Sequence, residues 1–191
     1  MHPNSRLLFK KYASSLIRDG ARVLEIGPDD FPSTYQQIVG DRKTQWETLE
    51  LSHRPGITHV ASSEYKFPIE DNTYDVVISG QVIEHVRKIW VWMNEVARIC
   101  KPGGLVITIN PVSWPFHENP VDCWRIYPDG MRALYEDAGL TVQTSVFESL
   151  EPYKVTTLDV LERLLKAVKG GWVPPFKRQE IDTITIGTKG A

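Results

Sequence analysis

This sequence predicts an α/β fold, a mainly parallel sheet with helices on both faces. Three observations carry that prediction. Short apolar, β-branched runs alternate with stretches of helical periodicity along the whole chain. The first clear run, Arg22-Val-Leu-Glu-Ile26, ends at Gly27, a residue suited to a tight turn out of a strand. A second run closes on Glu50, twenty-three residues after Gly27. A buried strand, a glycine turn at its carboxyl end and an acid closing the next strand form the skeleton of a nucleoside-binding crevice. The acid is needed because ribose hydroxyls are donors that one carboxylate accepts in pairs.

The elements follow in order. Leu8, Tyr12 and Leu16 at helical spacing predict an amphipathic helix ending near Gly20. The first strand covers 22–26, and a short helix after Pro32-Ser-Thr stops at Gly40. Further strands are predicted at 46–51, 57–61 and 75–79, with a loop through Asp71-Asn72 before the last of these. Ile89, Met93, Val96 and Cys100 share one helical face, and Lys101-Pro-Gly-Gly104 ends that helix ahead of a strand at 105–109. A helix over 128–138 is stopped by Gly139, a strand alternates over 140–147, a helix runs over 155–168, and a last strand alternates over 181–186. Gly170-Gly-Trp-Val-Pro-Pro175 reads as the turn between the last helix and strand. Seven strands result, with no internal repeat.

Composition narrows the function classes. The 191 residues suffice for one domain, 1–191, with a sizeable core. A net charge of -2 gives no electrostatic reason to expect nucleic acid or an anionic membrane as partner; Lys10-Lys11 and Lys177-Arg178 read as solvated faces. Cys100 and Cys123 lack metal-ligand spacing and suggest no disulfide framework, so no metal is expected and both thiols are expected to be reduced. The N-terminus has no apolar signal core and no run approaches membrane-spanning length, so a cytoplasmic protein is expected.

The first turn discriminates between nucleoside cofactors. Dinucleotides need several glycines there, so that backbone amides approach a pyrophosphate at a helix N-terminus. This chain offers Gly27-Pro-Asp-Asp-Phe31, with two carboxylates where a pyrophosphate would lie. An acidic turn tolerates S-adenosylmethionine, which has no phosphate and carries a sulfonium and an ammonium. The alternative is that Asp29 and Asp30 are simply helix N-terminal acids. An NAD-dependent oxidoreductase is disfavoured by the glycine count.

Five segments in order resemble the class I S-adenosylmethionine-dependent methyltransferases, particularly the type 11 branch. They are Val23-Leu-Glu-Ile-Gly27, Glu50-Leu-Ser52, Phe67-Pro-Ile-Glu-Asp-Asn-Thr-Tyr-Asp75, Ser79-Gly-Gln-Val-Ile-Glu-His85 and Lys101-Pro-Gly-Gly104. The resemblance implies a Rossmann-like three-layer sandwich whose seventh strand runs antiparallel. It implies that Glu25 and Gly27 line the methionine moiety of S-adenosylmethionine, with Glu25 toward its ammonium, and that Pro28 and Asp29 of the same loop belong to the cofactor-binding set. Glu50 would take the ribose hydroxyls and Leu51 would pack on the adenine. Ser63 and Glu64 fall where the family places an acid for the adenine amino group, here displaced by one residue to Glu64. Ser79, Gly80 and Gln81 would supply backbone beside the sulfonium. The missing glycines of the first loop are a departure, compatible with an altered loop or with a non-catalytic module of the same fold.

Methyl transfer from a sulfonium needs alignment and sometimes a base. His85, after the fourth strand, is one candidate base; its alternative is a structural histidine that orients the loop. The segment 110–128 follows the fifth strand and is rich in proline and tryptophan. It suits an acceptor pocket or lid at the ligand-binding edge of the sheet. His117 is the preferred base there, Trp114 or Trp124 a wall, and the alternative for Asp122 with Arg125 is a structural ion pair that pins the loop. Trp46, Trp90 and Trp92 are expected in packing. A small-molecule methyl acceptor is expected, at oxygen, nitrogen or carbon, possible classes being a saccharide or a natural-product intermediate, with the protein a monomer or homodimer.

Overall fold

The structure, a computed structural model, describes residues 3–118, 121–152, 157–169 and 180–190. Seven strands form one sheet: β1 (Arg22–Ile26), β2 (Gln45–Glu50), β3 (His59–Val60), β4 (Tyr74–Gly80), β5 (Cys100–Pro111), β6 (Leu140–Glu148) and β7 (Asp182–Lys189). Their order is β3-β2-β1-β4-β5-β7-β6. The first five pair in parallel, and β7 runs antiparallel to both β5 and β6. The helices are α1 (Pro3–Leu8), α2 (Thr34–Val39), α3 (Ile89–Ile99), α4 (Pro128–Asp137) and α5 (Thr157–Val168).

Strand alternation divides the apolar residues between the two faces. Leu24, Ile26, Val77 and Val106 face Trp92, Met93 and Val96 of α3 and Met131 and Tyr135 of α4. Val23, Val76, Ile78, Ile107 and Ile184 face Leu8, Phe9, Ile17, Tyr35 and Val39. Both faces are therefore covered, as a parallel sheet requires. Ser33 caps α2 through its side chain, which accepts from the Gln36 amide, and Gly40 ends the helix at φ +70°.

Several expectations shift. The N-terminal helix keeps regular form only to Leu8. It widens over Phe9–Ala13 and tightens over Ser14–Leu16, which breaks the helical spacing and leaves Leu16 37% exposed. The third strand is two residues long because Thr48 and Thr58 exchange side-chain hydrogen bonds where a longer ladder would run (Thr58 amide to Thr48 Oγ1, 3.0 Å). The fifth strand starts directly after α3, at Cys100. Trp92 is buried, whereas Trp90 is 48% exposed and meets Trp124 edge-on at 6.4 Å between centroids. The described part of the last helix begins at Thr157; the start predicted at 155, the 170–175 turn and Lys177-Arg178 lie outside the described residues. No helix among the described residues is long and apolar enough to cross a membrane.

One carboxylate ties four strands together. Glu47 on β2 accepts from Arg22 Nε on β1 (2.8 Å) and Tyr74 Oη on β4 (2.8 Å), and pairs with His59 Nε2 on β3 (2.7 Å). Burial opposes its charge, but the bonds from Arg22, His59 and Tyr74 prevail and hold the carboxyl at about 2, below its ordinary 4.5. A carboxyl depressed on folding stabilises fully above the unfolded value and loses that contribution as pH falls through the folded one. Glu47→Gln is thus expected to lower the melting temperature at neutral pH. The gap from wild type should close as melts are repeated from about pH 4.5 down to about 2.

Candidate functional site

A cleft of about 310 Å³ opens along the carboxyl ends of β1, β2 and β4. Strand order makes that position special: from β1 the chain builds outward through β2 and β3, then returns to the other side of β1 for β4. Crevices form at such a reversal. Gly27 and Val82 face each other across it. Gly27 has φ +69°, and a Cβ there would stand 2.4 Å from Val82 Cγ2, so both backbone conformation and close approach require glycine.

The cleft gathers much of the predicted set. Gly27, Glu50, Leu51, Glu64, Gln81 and His85 all line it, with Phe67 and Trp92 forming apolar wall. Leu51 is 53% exposed, an apolar surface offered to a ligand. One oxygen each of Glu64 (Oε2) and Gln81 (Oε1) is buried without a hydrogen-bond partner. Ser63 is exposed and bridges to Lys66, outside the lining; Glu64, its neighbour, is the residue the fold turns inward.

Other predicted residues support the cleft without lining it. Glu25 lies on the opposite face of β1, where its Oε2 accepts from Ser33 Oγ and from Trp46 Nε1 at 3.0 Å. Burial pushes its carboxyl up to about 7 against those two bonds, and its Oε1 has no partner. Asp29 accepts from the Thr34 amide (2.9 Å) and hydroxyl (2.5 Å), so it holds the start of α2 as a helix N-terminal acid does. Asp30 accepts from the Phe31 amide. Pro28 is buried, and its carbonyl accepts from Arg54. Ser79 and Gly80 are buried at the end of β4, where Gly80 packs against Tyr35.

Arg54 was not legible as a site residue. Its guanidinium also reaches Glu50 Oε1 at 3.1 Å and lies 5.1 Å from the centre of the Phe31 ring. Arg54 thereby braces the glycine-poor loop against the acid of β2. The one sequence signal was its i,i+4 spacing from Glu50.

Both candidate bases meet. The rings of His85 and His117 stand edge-on, 5.1 Å apart, although they are thirty-two residues apart in sequence. His85 Nδ1 bonds the Val121 carbonyl, which only accepts, so this nitrogen carries the hydrogen and Nε2 is the basic one in the neutral ring. His117 Nδ1 lies 3.2 Å from the Pro115 carbonyl and 3.4 Å from Asp122 Oδ2. Asp122 is gripped by Arg125 through two bonds of 2.5 and 2.7 Å, which hold its carboxyl at about 2. It also accepts from the His117 amide at 2.7 Å. The pair therefore pins the loop and seats the histidine at once. Trp114 meets His117 edge-on at 6.4 Å, and Trp124 Nε1 donates to the Val86 carbonyl. Glu84, unnoticed in sequence, lies buried between these segments, and burial pushes its carboxyl up to about 8.

A larger cleft, about 640 Å³, opens at the amino ends of β4 and β5. Its charges Lys101 and Asp75 neutralise each other at 2.7 Å, and open parallel sheets do not bind ligands at that edge. Among the described residues no group of three or more His, Cys, Asp or Glu is arranged to hold a metal.

Comparison with known proteins agrees with this geometry. A family model described as a methyltransferase domain matches residues 33–108. Over that stretch the chain is similar to methyltransferase domains. An uncharacterised methyltransferase of Mycobacteroides abscessus is 31% identical over 96 residues, covering 50% of this chain and 34% of that protein. The chain spans about a third of the length of the first curated relatives it matches. The fold is shared with a phosphoethanolamine N-methyltransferase of Haemonchus contortus solved with S-adenosyl-L-methionine (TM-score 0.62, 13% identity, 98% of this chain and 52% of that one). It is shared equally with the [4+2]-cyclase SpnF (TM-score 0.66, 15% identity, 98% and 80%).

The Gly27–Val82 contact generates a direct test. Gly27→Ala adds both a clash and an unfavourable φ, so denaturant titration should show a loss of more than about 1 kcal/mol. Adding Val82→Ala removes the clash alone, and partial recovery in the double variant is expected.

Proposed function

We propose that this chain transfers a methyl group from S-adenosylmethionine to an oxygen, nitrogen or carbon atom of a small-molecule acceptor, working as a single domain. The observation that carries the reading is the cleft itself. It joins a positive-φ glycine, an acid at the end of β2, an inward acid at Glu64 and an apolar ledge at Leu51 in one concave site. These groups fit the cofactor: donors on a ribose and on an adenine amino group meet carboxylate oxygens, and a cation meets acceptors.

When bound, S-adenosylmethionine supplies an electrophilic methyl group on a sulfonium. Glu50 accepts the ribose hydroxyls, sharing its carboxylate with Arg54. Leu51 and Phe67 cover the adenine, and Glu64 receives its amino group. The backbone of Ser79, Gly80 and Gln81 borders the reacting end. His85 and His117 stand at the far side, and the basic nitrogen of either takes a proton from a protic acceptor. His117 is the preferred base because Asp122 and Arg125 fix its position. The segment around Trp114 and Trp124 walls the acceptor side; a saccharide or natural-product intermediate suits such a wall.

Calorimetry with S-adenosylhomocysteine, with NAD as control, tests the cofactor reading. Wild type should bind the former alone, and Glu50→Ala should weaken that binding by about 1.5–3 kcal/mol, the scale of lost hydrogen bonds to a charged group. Equal affinity in a folded Glu50→Ala variant would contradict the ribose placement. Absence of binding to either ligand would instead favour the non-catalytic module. For whichever acceptor supports turnover, His117→Ala should slow methylation and leave S-adenosylhomocysteine affinity unchanged; full activity would remove His117 as the base.

A further inference from the structure

The first four helices each bury residues in the body of the fold: Leu8 of α1, Tyr35 of α2, Met93 of α3 and Tyr135 of α4 are fully buried. α5 differs. Every one of its residues whose burial is described is exposed, and its apolar side chains Val160, Leu161, Leu164, Leu165 and Val168 range from 41% to 85%. None of these five joins the core on either face of the sheet. Single exposed leucines are ordinary, but a continuous apolar face on one helix marks a surface that another surface covers.

Helical spacing divides the residues of α5 between an apolar side and a charged side. Leu158, Leu161, Leu165 and Val168 recur at intervals of three, four and three, the seam that two packed helices share. Val160 and Leu164 widen that seam. On the charged side the signs are ordered along the axis. Asp159 and Glu162 come first and Lys166 and Lys169 last, the Lys169 amide continuing the helical bonding to the Leu165 carbonyl at 3.3 Å.

That order decides what fits the face. Two such helices packed in parallel would set acid beside acid and base beside base. Turned antiparallel, the acidic end of each meets the basic end of the other, and the two helix dipoles oppose as well. One surface thus complements itself about a two-fold axis, as a closed pair of identical subunits requires. A lipid surface fits less well, because mixed charges on a protein of net charge -2 gain nothing from anionic headgroups. We infer that the apolar face of α5 docks antiparallel against α5 of a second copy of this chain. Its twelve residues span only about 18 Å, so the pair is reversible and forms as concentration rises. The inference does not depend on the cofactor reading.

Sedimentation equilibrium of the full chain over a dilution series is the test, with melting curves as the check on folding. Wild type should pass from monomer to dimer mass as concentration rises. Leu161→Glu combined with Leu164→Glu sets charge on the seam and should raise the dissociation constant more than about tenfold. Both positions are already exposed, so the melting temperature of the dilute monomer should hold. Two charge variants read the pairing and keep the test usable if the seam variant folds poorly. Asp159→Lys with Glu162→Lys, and separately Lys166→Glu with Lys169→Glu, should each weaken self-association, whereas the two mixed should form a heterodimer tighter than either variant alone. A wild type monomeric at every concentration, or charge variants that associate as wild type does, would overturn the inference. So would a monomeric wild type that sediments with phosphatidylcholine–phosphatidylserine vesicles, since the face would then belong to a lipid surface.

Discussion

The reversal of strand order beside β1 is the constraint on which the rest of the site depends. Because β2 and β4 flank the same strand, the loops leaving all three converge at their carboxyl ends. Convergence alone would fill the crevice with side chains. Gly27 keeps its share open by lacking a Cβ, which lets the turn after β4 approach through Val82. The opposing wall then holds itself together: Ser33 and Trp46 meet on Glu25, Thr34 closes on Asp29, and Arg54 spans Pro28 and Glu50. The loop that lacks the usual glycines is thus braced by side-chain bonds, a different means to a shaped backbone.

The sheet was largely legible because its signals are local. Apolar alternation and turn residues located all seven strands, and β1 falls on the residues that its pattern marks. Misplaced boundaries arose where side chains competed with backbone periodicity, as when Thr48 and Thr58 shortened β3. For the site, residues tied to a strand end, such as Glu50 and Gln81, could be located from spacing. The Arg54 brace and the Asn4–Asp182 bond could not. Arg54, Asn4 and Asp182 act through partners up to 178 residues away, and nothing in the sequence near them announces the pairing. Glu25 shows the converse: its motif was visible, but strand parity turns it to the face away from the cleft.

Fold and chemistry separate here as well. A [4+2]-cyclase and an N-methyltransferase share this architecture with the chain at comparable likeness, so the sheet does not dictate the reaction. The chemistry rests on the particular set at the carboxyl edge: acids at Glu50 and Glu64, the Gln81 amide, and the His85–His117 pair set by Asp122 and Arg125. In the proposed reading the acids address a nucleoside and the histidines a proton. That division runs across the sheet from β2 to the segment after β5, which is the order in which the parts of a methyl donor and its acceptor would lie.

A crystal structure of the protein with S-adenosylhomocysteine tests this account most directly. The account predicts the ribose hydroxyls within hydrogen-bonding distance of the Glu50 carboxylate and the adenine against Leu51. A nucleoside found instead in the cleft around Arg18 and Lys101, at the opposite edge of the sheet, would contradict it.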